Sequence, residues 1–288
     1  MSNTAWATLF AVFIWWFSTG IVLLLNGMQR SSYRWSLLIS SGLGLAALFS
    51  LAHTAQQTGT AAVYCAFTSA LLVWGWHELS FLTGWITGPR TTAIEPTLQG
   101  WPRFVQAVRA ILWHELGILV VGLLIVALTW GAPNQVGTWT FLVLWAMRTS
   151  AKLNLFFGVR NLSEEFLPPH LAYLESFFRR RPMNLLFPFC VAAAAGTLAW
   201  LVVQATAPQT SAADALGLTL VGAMLALAIL EHFMLVLPVS TSAMWRWAMG
   251  KRKNIGGTRH DATHDKNALR AEAAPLPLDN DDKLFHAR

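Results

Sequence analysis

The sequence predicts an all-α, polytopic membrane protein built as a bundle of about seven transmembrane helices. Apolar residues make up 55% of the 288 residues and charged residues only 12%, with 15 Trp. A typical soluble domain carries about 25% charged residues. Apolar runs of roughly 20 residues recur, and each is long enough to cross a bilayer core of ~30 Å. A soluble fold of this composition would expose a large apolar surface, so that class is excluded.

Hydropathy divides the chain into seven candidate spans. The first span lacks the basic start of a cleaved signal peptide, because no Lys or Arg precedes its apolar run. We therefore expect it to be retained as a helix. The predicted spans are residues 6–26, 35–53, 61–82, 110–130, 137–158, 185–205 and 214–237.

The distribution of basic residues predicts the orientation. Every second connection is rich in Lys and Arg, whereas the connections around residues 54–60, 131–136 and 206–213 contain none. Basic loops stay in the cytoplasm, so the N-terminus is expected outside and the C-terminus inside, which requires an odd number of spans. The basic connections hold Arg30 and Arg34, then Arg90, Arg103 and Arg109, then Arg160, Arg179, Arg180 and Arg181, and finally Arg246, Lys251, Arg252 and Lys253.

The third basic connection contains a patterned segment. Ser163 is placed to cap a short helix, and Leu171, Leu174, Phe177 and Phe178 follow on one side. We expect a short cytoplasmic amphipathic helix near residues 163–182. Its terminal arginines, Arg179, Arg180 and Arg181, would face the anionic membrane surface or a partner. A loop packed on its own bundle is the alternative.

Two domains are expected from the change in composition near residue 250. Residues 1–250 form the transmembrane domain. Residues 251–288 are polar, mixed in charge and poor in large apolar side chains, which is typical of a disordered tail.

Eight ionisable residues inside the predicted spans form what we call the polar layer. With the orientation above, three His/Glu pairs lie roughly 8–10 Å below the cytoplasmic interface, since a helix rises 1.5 Å per residue. Lys152 falls at the same depth and Arg148 one turn deeper, on the same face of the fifth span. Placing each cation in the membrane costs about 2.5–3.5 kcal/mol on insertion scales. We therefore expect carboxylates on neighbouring helices to form ion pairs with them. The polar layer comprises His77, Glu78, His114, Glu115, Arg148, Lys152, Glu231 and His232.

Four interpretations of the polar layer remain open. It could be a structural network that fixes how four helices dock. It could be a pocket for an amphipathic ligand, in which a His ligates the magnesium of a chlorin or bonds a quinone. It could bind a transition metal, although the Glu-x-x-His spacing of helical di-metal sites is absent. It could also serve proton or solute transport.

Several long segments of the chain have an unusual sequence, namely WWFSTG (15–20), YRWS (33–36), WGWHELSFLTGWITGPR (74–90), residues 129–154, residues 161–188 and LEHFMLVLP (230–238). They resemble the PuhE-type photosynthetic complex assembly proteins of anoxygenic phototrophic bacteria, and the likeness covers about residues 1–250. This resemblance implies a protein of the bacterial inner (intracytoplasmic) membrane that helps to assemble the reaction centre and its surrounding light-harvesting complex, through regulation of bacteriochlorophyll supply. We expect the polar layer to bind a bacteriochlorophyll, a precursor or an assembly partner near the cytoplasmic leaflet.

From these observations we interpret the chain as an assembly factor and not an enzyme. Its expected partners are the lipid bilayer and reaction-centre or light-harvesting subunits or other assembly factors, with no nucleic acid. The alternative is a membrane metalloenzyme or carrier acting on pigment or isoprenoid intermediates. No catalytic residue is nominated, and the sequence names no metal.

Overall fold

The structure, a computed structural model, describes residues 3–238 and 245–249, all within the first of two units, Met1–Gly250. Within these ranges the secondary structure is helical, apart from an isolated β-bridge between Val159 and Arg180. The predicted disordered tail, residues 251–288, lies outside the described residues. The helices are α1 (Asn3–Gly27), α2 (Tyr33–Ala55), α3 (Thr60–Leu82), α4 (Gly100–Leu128), α5 (Val136–Phe157), α6 (Leu186–Thr206), α7 (Ala212–Val236) and α8 (Arg246–Met249), with 3-10 helices at Arg30–Ser32, Glu164–Phe166 and Pro169–Phe177.

Five helices in the described ranges are long and apolar enough to cross a membrane, namely α1, α2, α4, α6 and α7. Their outward faces keep large apolar side chains exposed, such as Phe49 at 76% and Leu45 at 69%. Surfaces of this kind are stable against lipid and not against water. The prediction of a multi-pass helical membrane bundle is therefore confirmed at this level.

Helices α3 and α5 fill the two remaining predicted spans, with 23 and 22 residues. They are as long as the other helices but are not among the five apolar ones. Helix α3 carries His77 and Glu78, and α5 carries Arg148 and Lys152. The residues that lower their hydropathy are thus the ionisable residues of the polar layer.

Helix α4 begins at Gly100, ten residues before the predicted start of the fourth span. The prediction that Arg103 and Arg109 lie in a connection is therefore wrong. Pro102 does not prevent this extension, because the N–H that proline lacks is unpaired anyway in the first turn of a helix. Ala107 and Ala110 give the extra turns an apolar face that packs on the segment at residues 171–177.

Helix α3 lies at the centre of the bundle, where it contacts α1, α2, α4, α5 and α7. Phe67 on one side of α3 packs between α1 and α7. Ala70 and Val73 pack instead against Ile118 of α4 and Phe141 of α5. Helix α3 therefore contributes to separate apolar clusters on its two sides, and the polar layer lies nearer the end of the bundle at which α3 ends.

The segment after α5 differs from its prediction. It forms the two short 3-10 helices instead of one amphipathic α-helix. Ser163 makes no capping hydrogen bond and adopts a left-handed conformation, with φ at 53°. Leu171, Leu174 and Phe177 are buried against α3 and α4. This apolar side consequently packs on its own bundle, because the ends of α3 and α4 offer it a closer apolar surface.

Candidate functional site: the polar layer

Two ion pairs tie α5 to its neighbours. Arg148 Nη2 lies 3.0 Å from Glu78 Oε2 on α3, and Lys152 Nζ lies 2.5 Å from Glu115 Oε1 on α4. Arg148 and Lys152 are one turn apart on α5, so both point toward the side where α3 and α4 pack. The Glu78 side chain is 14% exposed, whereas that of Arg148 is 45% exposed. Each cation of α5 is thus neutralised by an acid from a different helix.

The third acid of the polar layer has a different partner. Glu231 on α7 accepts a hydrogen bond of 3.1 Å from the indole Nε1 of Trp15 on α1. In the part of the chain that the structure describes, no Lys or Arg nitrogen lies within 4.0 Å of this carboxylate. Arg148 is close enough to attract it electrostatically. Glu231 therefore links α1 to α7 by a hydrogen bond.

His232, the neighbour of Glu231, faces α5. Its Nδ1 lies 2.8 Å from the carbonyl oxygen of Ala228, and its Nε2 lies 2.8 Å from the hydroxyl of Ser150. A carbonyl oxygen only accepts, so Nδ1 carries a proton, and the neutral ring accepts from Ser150 at Nε2. Both ring nitrogens are occupied. His232 is consequently a structural link between α7 and α5 and has no free nitrogen for a ligand.

His77 and His114 form a separate pair inside the bundle. Their ring centroids are 6.4 Å apart in an edge-to-face arrangement, and the side chains are only 2% and 1% exposed. The ring of Phe81 packs 4.6 Å from His114. His77 Nε2 and His114 Nδ1 are buried without a hydrogen-bond partner among the described residues, as is Glu78 Oε1. Buried polar atoms are usually paired, so these three atoms are the unusual feature of the polar layer.

The polar layer is brought together around α5, with α3, α4 and α7 each contributing a contact to it. Sequence reasoning missed two of the residues involved, Trp15 and Ser150. Ser150 lies between the two cations of α5, and Trp15 lies on a helix that carries no ionisable side chain within its predicted span. Serine and tryptophan are so common in membrane helices that neither gave a signal.

The residues available for a metal are few. Within residues 3–238 and 245–249, no group of three or more His, Cys, Asp or Glu is arranged to hold a metal ion. Glu78 and Glu115 are engaged by Arg148 and Lys152.

The three consecutive arginines of the predicted surface site have different surroundings. Arg180 donates to both carboxylate oxygens of Glu164, at 3.0 and 3.1 Å. The Arg181 side chain lies along the backbone at Gly158, which leaves no room for a Cβ there. Arg179 is half-buried, and its charge acts on that of Arg103. Hence these arginines do not form one uniform surface.

His170 fastens the same segment to the end of α3. Its Nε2 lies 2.9 Å from the carbonyl oxygen of Leu82, to which it donates. Burial lowers the pKa of His170, and the charge of Arg30 lowers it further, while the bond to Leu82 acts in the opposite direction. The neutral imidazole is therefore the form that suits the fold.

Comparison with known proteins places the chain in a family. Residues 1–255 match the family model described as "Protein of unknown function (DUF3623)". The chain is 36% identical over 255 residues to the Rhodobacter capsulatus protein described as "Uncharacterized 30.4 kDa protein in puhA 5'region". That alignment covers 86% of this chain and 92% of the relative. No solved structure matches. The match along nearly the whole described chain shows that this protein belongs to the DUF3623 family.

Proposed function

We propose that this protein is an assembly factor for the photosynthetic reaction centre and its light-harvesting core complex in the bacterial inner membrane. The observation that carries the proposal is the relative from Rhodobacter capsulatus, whose description places it in the puhA 5' region. That description suggests a photosynthesis-related role for the relative. The resemblance of residues 1–250 to photosynthetic complex assembly proteins adds the specific role.

The proposed topology has seven spans, a periplasmic N-terminus and a cytoplasmic C-terminus. Charge asymmetry between alternate connections supports it. The ion pairs Arg148–Glu78 and Lys152–Glu115 support inclusion of α3 and α5, because pairing lowers the cost of carrying charges into the membrane. Reporter fusions test this: alkaline phosphatase should be active after residues 58 and 133 and inactive after residues 90 and 180. Activity after residue 90 would contradict the topology.

Within this function we propose that the polar layer holds α1, α3, α4, α5 and α7 in one arrangement that a partner recognises. The supporting contacts are the two ion pairs, the Trp15–Glu231 bond and the Ser150–His232 bond. These contacts have partners on different helices, and a polar group inside a membrane is satisfied only while those helices stay together.

A bacteriochlorophyll ligated directly by the polar layer does not fit these residues. His232 has no free nitrogen. His77 and His114 each have one, but the rings are 2% and 1% exposed, which leaves no space for a chlorin. A surface cavity of about 260 Å³ between α1, α6 and α7 has no His in its lining. We therefore propose an influence on pigment supply or on subunit assembly without chlorin ligation at these histidines.

The test is deletion of the gene in a phototrophic host, followed by complementation. Loss of an assembly factor should lower the core-complex absorption bands, and the wild-type gene should restore them. The total pigment extracted into solvent distinguishes a failure of subunit assembly from a failure of pigment supply. A normal total with low core bands indicates failed assembly, whereas a proportional fall in both indicates failed pigment supply. Unchanged core bands in the deletion strain would refute the proposal.

A further inference from the structure

A buried arginine at the start of α4 has no acidic partner among the residues that the structure describes. Arg103 is 6% exposed and donates to the carbonyl oxygens of Phe177, at 2.6 Å, and Phe156, at 3.5 Å. Its guanidinium lies 4.5 Å from the centroid of the Phe156 ring. Across residues 3–238 and 245–249, no carboxylate oxygen lies within 4.0 Å of it. The carbonyls and the ring orient the cation but do not neutralise it.

Two further sources of positive charge converge on Arg103. Arg179 is near enough to repel it, and the backbone N–H of Arg179 is held by the carbonyl of Leu155. Helix α4 begins at Gly100, three residues before Arg103, with no acidic residue in its first turn and no side-chain cap from Gln99. The start of a helix carries about half a positive charge, where an arginine is unfavourable and an anion is stabilised.

Positive charges held close together in a partly desolvated site lower the stability of the fold unless an anion binds to them. Glu164 is already bonded to Arg180, and within residues 3–238 and 245–249 neither Arg103 nor Arg179 forms an ion pair with a carboxylate. An anion from outside the chain would neutralise this group of positive charges.

The surroundings indicate an anion that carries acyl chains. Gly100 is the first residue of a helix apolar enough to span the membrane, so Arg103 lies where such a helix enters the bilayer. Trp101 is 72% exposed and Phe157 is 42% exposed beside the charged groups. Rings from Trp101 through Phe104 to Phe156 and Phe157 follow one another at 5.3 to 5.6 Å. A tryptophan favours the membrane–water interface, and the phenylalanine rings beside it extend the apolar surface.

We propose that Arg103, Arg179 and the start of α4 bind the phosphate of an anionic phospholipid. The guanidinium groups would donate to the phosphate oxygens, and the aromatic surface would contact the acyl chains. This lipid site is separate from the polar layer and does not depend on the proposed role in assembly.

The experiment uses the full chain, delipidated in an uncharged detergent, with native mass spectrometry and thermal unfolding as readouts. The ligands are phosphatidylglycerol, phosphatidylcholine and inorganic phosphate at matched concentrations. Arg179→Gln is the test variant because Arg179 is only half-buried. Arg180→Gln is the control, since Arg180 has the same charge on the next residue but is paired with Glu164. Arg103→Gln is a second test if it folds.

Phosphatidylglycerol should bind the wild type and raise its unfolding temperature more than the other two ligands. Arg179→Gln should bind it about fivefold more weakly, the effect of one basic residue near an anionic surface, while Arg180→Gln should match the wild type. Equal weakening in both variants would indicate general electrostatics and overturn the site. So would an equal response to phosphatidylcholine, or a response to inorganic phosphate without one to the lipid, which would indicate a soluble anion.

Discussion

Arg148 and Lys152 lie one turn apart on α5, yet each pairs with a different helix. Arg148 contacts Glu78 on α3, and Lys152 contacts Glu115 on α4. In an apolar bundle, removal of one member leaves a charge that nothing neutralises, whereas removal of both leaves none. The identity of each partner can therefore be tested by exchange.

Arg148→Leu should lower the unfolding free energy by about 3 kcal/mol, because Glu78 is left unpaired. The double variant Arg148→Leu/Glu78→Gln should recover part of that loss. Arg148→Leu/Glu115→Gln is the matched control and should be no better than the single variant, since it also breaks the pair of Lys152. Thermal unfolding in detergent and protein abundance in membranes provide the measurement. Equal recovery by both double variants would contradict the assigned pairing.

A pH-dependent contribution is expected from His170. Its pKa is lowered below the ordinary value of 6.5, chiefly by burial, so the folded state favours the neutral ring that donates to Leu82. The stabilisation is complete above pH 6.5 and is lost as the pH falls below it, because the unfolded chain takes up the proton first.

His170→Gln should remove that pH dependence, since glutamine can donate to the same carbonyl but does not titrate. Unfolding temperatures of both proteins would be compared at about pH 7.5 and about pH 5.5, on either side of the ordinary histidine pKa. The wild type should lose more stability than the variant at the lower pH. The remaining histidines are common to both proteins and cancel. Parallel losses would rule out His170 as the cause.

At the scale of elements, close helix approach depends on small residues. A Cβ at Gly137 of α5 would lie 2.2 Å from Leu51 Cδ2 on α2 and 3.1 Å from the backbone oxygen of Ala66 on α3. In membranes, where lipid is as apolar as the side chains, such close backbone contacts are a main source of helix association.

Gly137→Ala should therefore destabilise the bundle by about 1–3 kcal/mol through overpacking. Gly42→Ala on α2 is the control, because nothing lies within 4 Å of a Cβ at that position. This control should be neutral or slightly stabilising, as alanine favours helix over glycine. Thermal unfolding of the two variants gives the comparison, and equal behaviour would argue against tight packing at Gly137.

For the whole molecule, the family match ends at residue 255 of 288. If the function belongs to the family domain, a chain shortened after residue 255 should restore the core-complex bands of a deletion strain as well as the full chain does. Absorption of isolated membranes and an immunoblot for abundance check this. Normal abundance without restoration would show that residues 256–288 contribute to function.

Local patterns were sufficient to predict the membrane class and the seven long helices. The apolar runs near 6–26 and 214–237 became α1 and α7, since a helix satisfies its own backbone wherever lipid surrounds it. Hydropathy did not predict the structure of the segments that lie outside the apolar runs. Helix α4 continued back to Gly100, and residues 164–177 formed 3-10 helices, because those segments are shaped by contacts with distant residues.

Residue types and helix periodicity alone predicted that Arg148 and Lys152 need acidic partners on other helices, since an unpaired charge in lipid is costly. The packed helices were needed to show which acid each cation meets, and that Glu231 bonds to Trp15 while His232 bonds to Ser150. These pairings depend on which helices are adjacent and on how each helix is rotated about its own axis. Both depend on packing between segments up to 216 residues apart in the chain, which no local pattern encodes.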